Sequence, residues 1–134
     1  MTAIVCIEDR GGILFLGRRV SRDVEVARDI ARDFRKILLS GYSLPLFDGV
    51  KIDTGVCVSP LLEGRAGDAA FIEDASIKDN LGKISRLIIY KWNRTYPSDT
   101  KLGVLPEDEG FRLVSSCEFV GNSHKTITKE VYER

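Results

Sequence analysis

Histidine is almost absent from this chain, which carries only His124 among its 134 residues. Zinc sites and two-metal hydrolase sites draw several ligands from histidine, cysteine and acidic residues at close spacing. The three cysteines, Cys6, Cys57 and Cys117, are far apart and form no CxxC pair. The sequence therefore predicts no metal site and three free thiols, which is typical of a protein in a reducing compartment.

Charge excess and long apolar runs are lacking as well. The chain has 20 basic and 20 acidic residues and a formal net charge of +0. Nucleic-acid-binding proteins usually show a basic excess, so nucleic acid is not the expected partner. No apolar run approaches the ~20 residues of a membrane span. Residues 2–7 are too short for a secretion signal and have no basic flank. We expect one domain over residues 1–134, in the cytoplasm and without a membrane partner.

Apolar periodicity predicts a mixed α/β domain. The continuous apolar run at residues 3–7 is typical of a strand buried on both faces, residues 84–92 read as a strong central strand, and residues 69–72 read as a short strand. Apolar residues at i, i+3 and i+4 predict one amphipathic helix that begins at Ser21 or Asp23 and ends at Leu38, followed by Gly41. Residues 42–83 give no clear pattern outside the run at 69–72.

The last two dozen residues predict a β-hairpin. Residues 111–119 and 126–134 read as strands, and residues 120–124 read as the turn between them. A chain that ends in such a hairpin closes its sheet with its own C-terminus.

Three arginines surround the predicted helix start. Arg18, Arg19 and Arg22 lie beside Ser21 and Asp23. Guanidinium groups next to the free N–H groups of a helix start favour a phosphate or a carboxylate. The cluster is therefore a predicted anion-binding site, and a solvated turn with an ordinary N-cap is the plainer interpretation. Asp23 is also the candidate catalytic acid, a role that requires burial to raise its pKa.

A second group of candidate residues follows the strand predicted at residues 84–92. Lys91, Trp92, Asn93, Arg94 and Tyr96 stand at its carboxyl end, the usual place for a ligand site in an α/β sheet. The aromatic rings suit stacking on a heteroaromatic ligand, and the amide suits its polar edge. The alternative is a core tryptophan with exposed basic neighbours.

His124 is the third candidate, in the hairpin turn beside Ser123. A nucleophilic serine needs its base close in space, and adjacency in sequence does not provide that. The sequence predicts that His124 caps a backbone group in the turn, and His124 is included among the ligand-binding candidates. Cys6 and Cys117 fall in predicted strands, so we expect them to be buried and unreactive.

These segments, in this order, resemble dihydrofolate reductase. The terminal hairpin with its Asn122-Ser123-His124 turn resembles that of the bacterial enzymes, and residues 98–102 occupy the place of their Gly-Asp-Thr loop. The resemblance covers both ends of the chain. It implies a reduced form of that fold, a three-layer α/β domain with a mixed sheet. It also implies that Asp23 lies near the acid that binds the pterin ring and supports its protonation. In that family a glycine pair before a helix binds the pyrophosphate of the nicotinamide cofactor, and the second half of this chain has no such pair.

The sequence is also similar to a small family of uncharacterised bacterial proteins. The shared stretches are residues 18–23, 90–94 and 123–130. Some members carry a ribonuclease Z label. A chain with one histidine and no HxHxDH motif does not fit that label, because two-metal hydrolysis needs several His and Asp ligands.

We therefore expect a cytosolic protein that binds a small anionic or heteroaromatic ligand through the clusters at residues 18–23 and 91–96. One alternative is an NADPH-dependent reductase of the same fold, although no cofactor is identified. Another is a protein-interaction module, such as an immunity or regulatory partner or a homodimer, which needs no pocket and would be favoured by an exposed apolar patch and a stable dimer. RNA binding through the basic residues is a minor alternative.

Overall fold

A seven-stranded mixed sheet forms the centre of the protein, and the computed structural model describes all 134 residues. The strands along the chain are β1 (Thr2–Ile7), β2 (Gly12–Phe15), β3 (Arg18–Arg19), β4 (Lys36–Leu39), β5 (Asp53–Val56), β6 (Ala69–Phe71), β7 (Arg86–Lys91), β8 (Thr100–Lys101), β9 (Arg112–Phe119) and β10 (Ile127–Glu133). The large sheet has the order β5-β4-β6-β1-β7-β10-β9, and a small sheet has the order β3-β2-β8.

The middle of the large sheet is parallel and buried. β1 pairs in parallel with β6 and β7, whereas β10 pairs antiparallel with both β7 and β9. Ile4, Val5 and Leu87 have no exposed surface. Layers on both faces cover these strands, so their sequences are continuously apolar instead of alternating. The predicted strands at residues 3–7, 69–72 and 84–92 and the terminal hairpin are confirmed.

The long helix is α1 (Val24–Asp33), which buries Val26, Ala27 and Ile30 against one face of the sheet. Its ten residues make it the longest helix, and no helix of the structure has the length and apolar character needed to cross a membrane. Asp23 is the N-cap residue, and Phe34 ends the helix with an extended backbone.

The predicted extension of this helix to Leu38, with Ser21 as the cap and Gly41 after its end, is wrong. Lys36–Leu39 is strand β4, which pairs with β5 and β6. Ile37 and Leu39 are both fully buried, as a strand with a period of two requires, whereas the helical pattern had continued through Ile37 and Leu38. Strand pairing decided between these two periods.

The sheet separates two hydrophobic clusters, which gives the three layers that were predicted. One cluster joins α1 to residues of the sheet such as Phe71 and Trp92. The other lies under the small sheet and short helices, with Ile13, Leu61 and Phe111 among its members. The short helices are α2 (Pro60–Glu63) and the 3-10 helices Leu44–Phe47, Lys78–Lys83 and Pro106–Glu109.

β9 is an edge strand with most of its side chains exposed. Leu113, Val114 and Cys117 lie on it in contact with solvent. The expectation that Cys117 is buried is therefore wrong, because a strand at the sheet edge is not covered on either face. All three cysteines are free thiols.

Candidate functional site

Asp23 fastens the hairpin turn to the start of α1. Its carboxylate accepts the backbone N–H of Glu25 at 3.0 Å, of Asn122 at 2.9 Å and of Ser123 at 2.8 Å. The side chain is completely buried. Of the N–H groups at the helix start, which were predicted to attract an anionic ligand, that of Glu25 is thus bound by a carboxylate of the protein itself.

Two opposing effects act on the pKa of Asp23. Burial raises it, but the N–H donors of Asn122, Ser123 and Glu25 and the imidazole of His124 together hold the pKa well below its usual range. A carboxylate that accepts several hydrogen bonds is stabilised in its charged form. The raised pKa required of a catalytic acid is therefore not found, and Asp23 stays ionised near neutral pH.

His124 links Asp23 to Ser21. Its Nδ1 lies 2.8 Å from Asp23 Oδ2, and its Nε2 lies 2.8 Å from Ser21 Oγ and 3.4 Å from the hydroxyl oxygen of Tyr96. The ring stacks on Trp92 with centroids 4.6 Å apart. The prediction that His124 caps a backbone group is wrong for its side chain. Asp23 and Ser21 lie 101 and 103 residues away in the chain and Tyr96 lies 28 residues away, so adjacency in sequence could not reveal these partners.

Arg19 is neutralised within the protein. Its guanidinium forms a two-point ion pair with Glu73, with Nη2–Oε1 at 2.8 Å and Nε–Oε2 at 3.1 Å, and it lies 4.2 Å over the ring of Tyr42. Ser43 donates a further hydrogen bond to Glu73 at 2.7 Å. Sequence reasoning missed Glu73, although an acidic residue directly after a buried strand is a recognisable signal.

Arg18 and Arg22 differ from Arg19 in their surroundings. Both are exposed, and neither forms an ion pair with a carboxylate. Of the three arginines predicted to hold an anion, these two keep an unmatched charge.

The residues predicted at the end of β7 fall on both faces of the sheet. Lys91 pairs with Glu130 at 2.9 Å, and the Asn93 amide donates to Thr126 and Thr128. Both residues line the face away from α1, whereas Trp92 packs in the cluster beside α1. Successive side chains of a strand point to opposite faces, so neighbours in sequence do not share a site. Arg94 is exposed, and Tyr96 lies with His124 on the α1 side.

A narrow cleft lies between the start of α1 and the carboxyl ends of β1, β6 and β7. Its cavity volume is about 20 Å³, enough for about one water molecule, and its walls include Cys6, Ser21, Phe71, Glu73 and Trp92. Trp92 is 3% exposed, and its indole Nε1–H has no acceptor. Buried donors without a partner are rare in native proteins, because each costs about 1–3 kcal/mol.

A larger cleft of about 870 Å³ lies on the opposite face. In this cleft Glu8 pairs with Arg10 and Lys101, and Lys91 pairs with Glu130, whereas the acidic residues Asp9 and Glu107 form no ion pair.

No family model and no curated protein matches this chain. Among solved structures, a dihydrofolate reductase from Enterococcus faecalis complexed with NADP(H) and RAB-propyl has a TM-score of 0.66 to this protein. The match covers 99% of this chain and 95% of that enzyme. The chain has a dihydrofolate reductase-like fold. At 12% sequence identity, the likeness of this dihydrofolate reductase-like protein to that enzyme extends to the fold alone. It spans nearly the whole chain, whereas the sequence motifs covered only both ends.

Proposed function

We propose that this protein binds a small planar ligand, with a hydrogen-bond acceptor and an anionic group, in the narrow cleft beside α1. The observation that carries the proposal is the buried indole N–H of Trp92, which has no acceptor within the protein. A ligand acceptor in the cleft would satisfy this donor. Ligand sites typically combine apolar walls with a few polar groups of this kind.

The walls of the cleft set the shape of the ligand. Val26 of α1 and Phe71 of β6 line opposite sides of it with apolar surface. With a cavity volume of about 20 Å³, the cleft must widen to admit a ligand, and a flat heteroaromatic ring needs less widening than a bulky group. Arg22 lines the same cleft, and Arg18 lines the neighbouring groove. Their unmatched charges suit an anionic group attached to the ring.

The reductase alternative requires a place for a dinucleotide pyrophosphate. The Enterococcus faecalis enzyme is complexed with NADP(H). In this protein β6 is followed, after Ile72, by the buried carboxylate of Glu73 and by Asp74. No α-helix follows α2 in the chain, and the Asp23 side chain already caps the start of α1. Glu73 is already paired with Arg19, and the chain after α2 offers no α-helix start whose free N–H groups could hold a pyrophosphate, so these residues do not fit the cofactor.

A thermal-shift screen with heteroaromatic carboxylates, folates, nucleotides, NADPH and inorganic phosphate tests the proposal. A ligand at a hundred times its dissociation constant adds about 2.7 kcal/mol of stability, which raises Tm by several degrees. A shift with aromatic anions supports the proposal. No shift with any compound overturns it, and a shift with NADPH alone favours the reductase.

Trp92→Phe is the sharpest variant, because it removes the N–H donor and keeps an aromatic ring beside His124. We expect binding to weaken about three- to tenfold, the value of one hydrogen bond of 0.5–1.5 kcal/mol. Arg22→Gln should weaken the binding of anionic ligands. Arg65→Gln is the matched control, since Arg65 is an exposed arginine remote from the cleft. Unchanged binding in Trp92→Phe would contradict the assigned role of the indole.

The interaction-module alternative is supported by one observation, the exposed apolar side chains Leu113 and Val114 on edge strand β9. A second copy of the chain would pair with this edge symmetrically. The register shift opposite Val131 and Tyr132 marks a β-bulge, which disfavours such pairing. A mass measurement across a concentration series decides between monomer and dimer. Cytoplasmic location stays a prediction from the sequence.

A further inference from the structure

Ser21, His124 and Asp23 lie in one hydrogen-bonded line beside the narrow cleft. Ser21 Oγ is 2.8 Å from His124 Nε2, and His124 Nδ1 is 2.8 Å from Asp23 Oδ2. Ser21 is half-buried and lines the cleft, whereas the side chains of His124 and Asp23 are 3% and 0% exposed. A nucleophilic serine has this arrangement of hydroxyl, imidazole and buried carboxylate, whatever the fold that carries it.

The carboxylate determines which imidazole nitrogen carries the hydrogen in the neutral ring. Asp23 is ionised and can only accept, so His124 Nδ1 must be the donor in this contact. Nε2 of the neutral ring then has a free lone pair, and it faces the Ser21 hydroxyl. This tautomer is the one that a general base needs.

We propose that Ser21 is a nucleophile for acyl transfer, with His124 as its general base and Asp23 as the residue that positions His124. This inference rests on the proposed function, since it identifies the ligand class of the same cleft. The substrate would be a small ester of an aromatic alcohol that carries an anionic group, and the cleft must widen to admit it. Its carbonyl oxygen would be the acceptor for the unpaired indole N–H of Trp92.

One donor is available to the negative charge that develops on the carbonyl oxygen. The Trp92 indole N–H is buried and unpaired in the wall of the cleft. Donors placed beforehand in a site that excludes water stabilise such an oxyanion more strongly than water does.

The reaction balances with water as the only co-reactant. Ser21 Oγ forms a bond to the acyl carbon, and its proton passes to His124 Nε2. The bond from the acyl carbon to the leaving aryl oxygen breaks, and that oxygen takes the proton from His124. Water then attacks the acyl–Ser21 ester with His124 again accepting a proton, which releases the carboxylic acid and restores the Ser21 hydroxyl.

The single histidine gives a direct test of the geometry by NMR. All imidazole ¹⁵N signals of the protein belong to His124. We expect the neutral ring to carry its hydrogen on Nδ1, and Asp23→Asn to shift the population towards Nε2–H. The groups that hydrogen-bond to this ring are Asp23, Ser21, Ser123 and Tyr96. A neutral ring with its hydrogen on Nε2 would overturn the proposal, because Ser21 would then only accept a hydrogen bond.

Covalent labelling tests the nucleophile. The intact protein is treated with a fluorophosphonate and, separately, with p-nitrophenyl acetate, and the modified residue is found by peptide mass spectrometry. We expect one adduct on Ser21, none in Ser21→Ala, and labelling about a hundredfold slower in His124→Gln. Ser116→Ala is the control, because Ser116 is an exposed serine on β9 away from the cleft. Absence of an adduct on Ser21, or equal labelling of wild type and His124→Gln, overturns the proposal.

The two proposals fail in different ways. If Ser21→Ala keeps the thermal shift with aromatic anions while wild type shows no adduct, the binding function stands and the nucleophile is rejected. If wild type is labelled on Ser21 but no compound of the screen shifts Tm, the nucleophile stands and the proposed ligand class is rejected.

Discussion

Asp23 belongs to the helix start by sequence and to the hairpin turn by its contacts. Its carboxylate meets backbone N–H groups from both segments and the imidazole of His124. Buried carboxylates of this kind are stable only in the charged, fully hydrogen-bonded form. The same contacts that could orient a catalytic histidine therefore also hold the fold together, and they make stability depend on pH.

Asp23 should make the protein sensitive to acid. Its folded pKa lies below the unfolded value of about 3.9, so its contribution is present above that value and is lost as pH falls through the folded pKa. Glu8 acts in the same direction, since backbone N–H groups of Arg10 and Gly12 lower its pKa despite burial. We expect the free energy of unfolding, measured by urea denaturation, to fall below about pH 4.

Asp23→Asn should flatten this acid limb and lower stability at neutral pH by about 1–3 kcal/mol, because it removes one of the two acceptor oxygens. Asp48→Asn is the control, since Asp48 is exposed and makes no side-chain hydrogen bond. An acid limb of unchanged slope in Asp23→Asn would refute the assignment of this stability to Asp23.

The three thiols should differ in reactivity. Cys117 is exposed on β9, whereas burial raises the pKa of Cys6 and of Cys57. A thiol reacts through its thiolate, so a raised pKa and burial both slow the reaction. We expect an aromatic disulfide reagent to modify Cys117 first in the native protein, and Cys6 only on unfolding. Prior modification of Cys6 would contradict the structure.

At the scale of elements, the turn between β9 and β10 is packed closely against the start of α1. A methyl group added at Gly121 would lie 2.6 Å from Asp23 Oδ2 and 2.9 Å from the carbonyl oxygen of His124. Real Cβ contacts are not that short, so the turn could not keep its position. The element therefore depends on glycine for a close approach and not for an unusual backbone angle.

Gly121→Ala should cost about 1–3 kcal/mol through this overpacking. Gly41→Ala is the matched control, because a Cβ at Gly41 meets no atom within 4 Å. We expect it to change stability by less than about 1 kcal/mol, with stabilisation possible through the unfolded state. Equal changes in the free energy of unfolding for the two variants, measured by urea denaturation, would show that Gly121 is not closely packed against Asp23. Gly121→Ala should also lower the labelling of Ser21, since it displaces His124.

The chain at residues 34–39 shows where an element is decided by its neighbours. Phe34, Ile37 and Leu38 continue the apolar pattern of α1, yet the helix ends at Asp33 and β4 begins at Lys36. No proline or glycine breaks the pattern. The hydrogen bonds of β4 to β5 and β6 provide a continuous sheet, and that gain exceeds the weak local preference for helix.

At the scale of the whole molecule, the C-terminal strand is an interior part of the sheet. β10 lies between β7 and β9, and its residues Ile127, Val131 and Tyr132 are buried. The first and last parts of the chain therefore fold together as one unit, since β10 is paired to β7 and β7 to β1.

Removal of residues 127–134 should abolish cooperative folding. It would leave β7 as an open edge and uncover the cluster beside α1, to which Ile127 and Val131 belong. We expect the truncated chain to lose its sharp thermal transition in calorimetry. A cooperative transition within a few degrees of the wild-type value would show that the rest of the sheet is stable alone.

The sequence by itself determined the central strands, the single long helix and the terminal hairpin. Each buries a continuous face or stripe, and burial of apolar groups leaves a periodic pattern that is readable without coordinates. It also determined the zero net charge and the supply of arginines near the helix start. The resemblance to dihydrofolate reductase followed from the order of these elements.

Tertiary structure alone decided the end of α1, the pairing of Arg19 with Glu73, and the placement of Ser21, His124 and Asp23 in one line. These outcomes depend on contacts between segments far apart in the chain. A polar side chain carries no periodic signal for its partner, because a hydrogen bond is specified by distance and direction in space and not by spacing along the sequence.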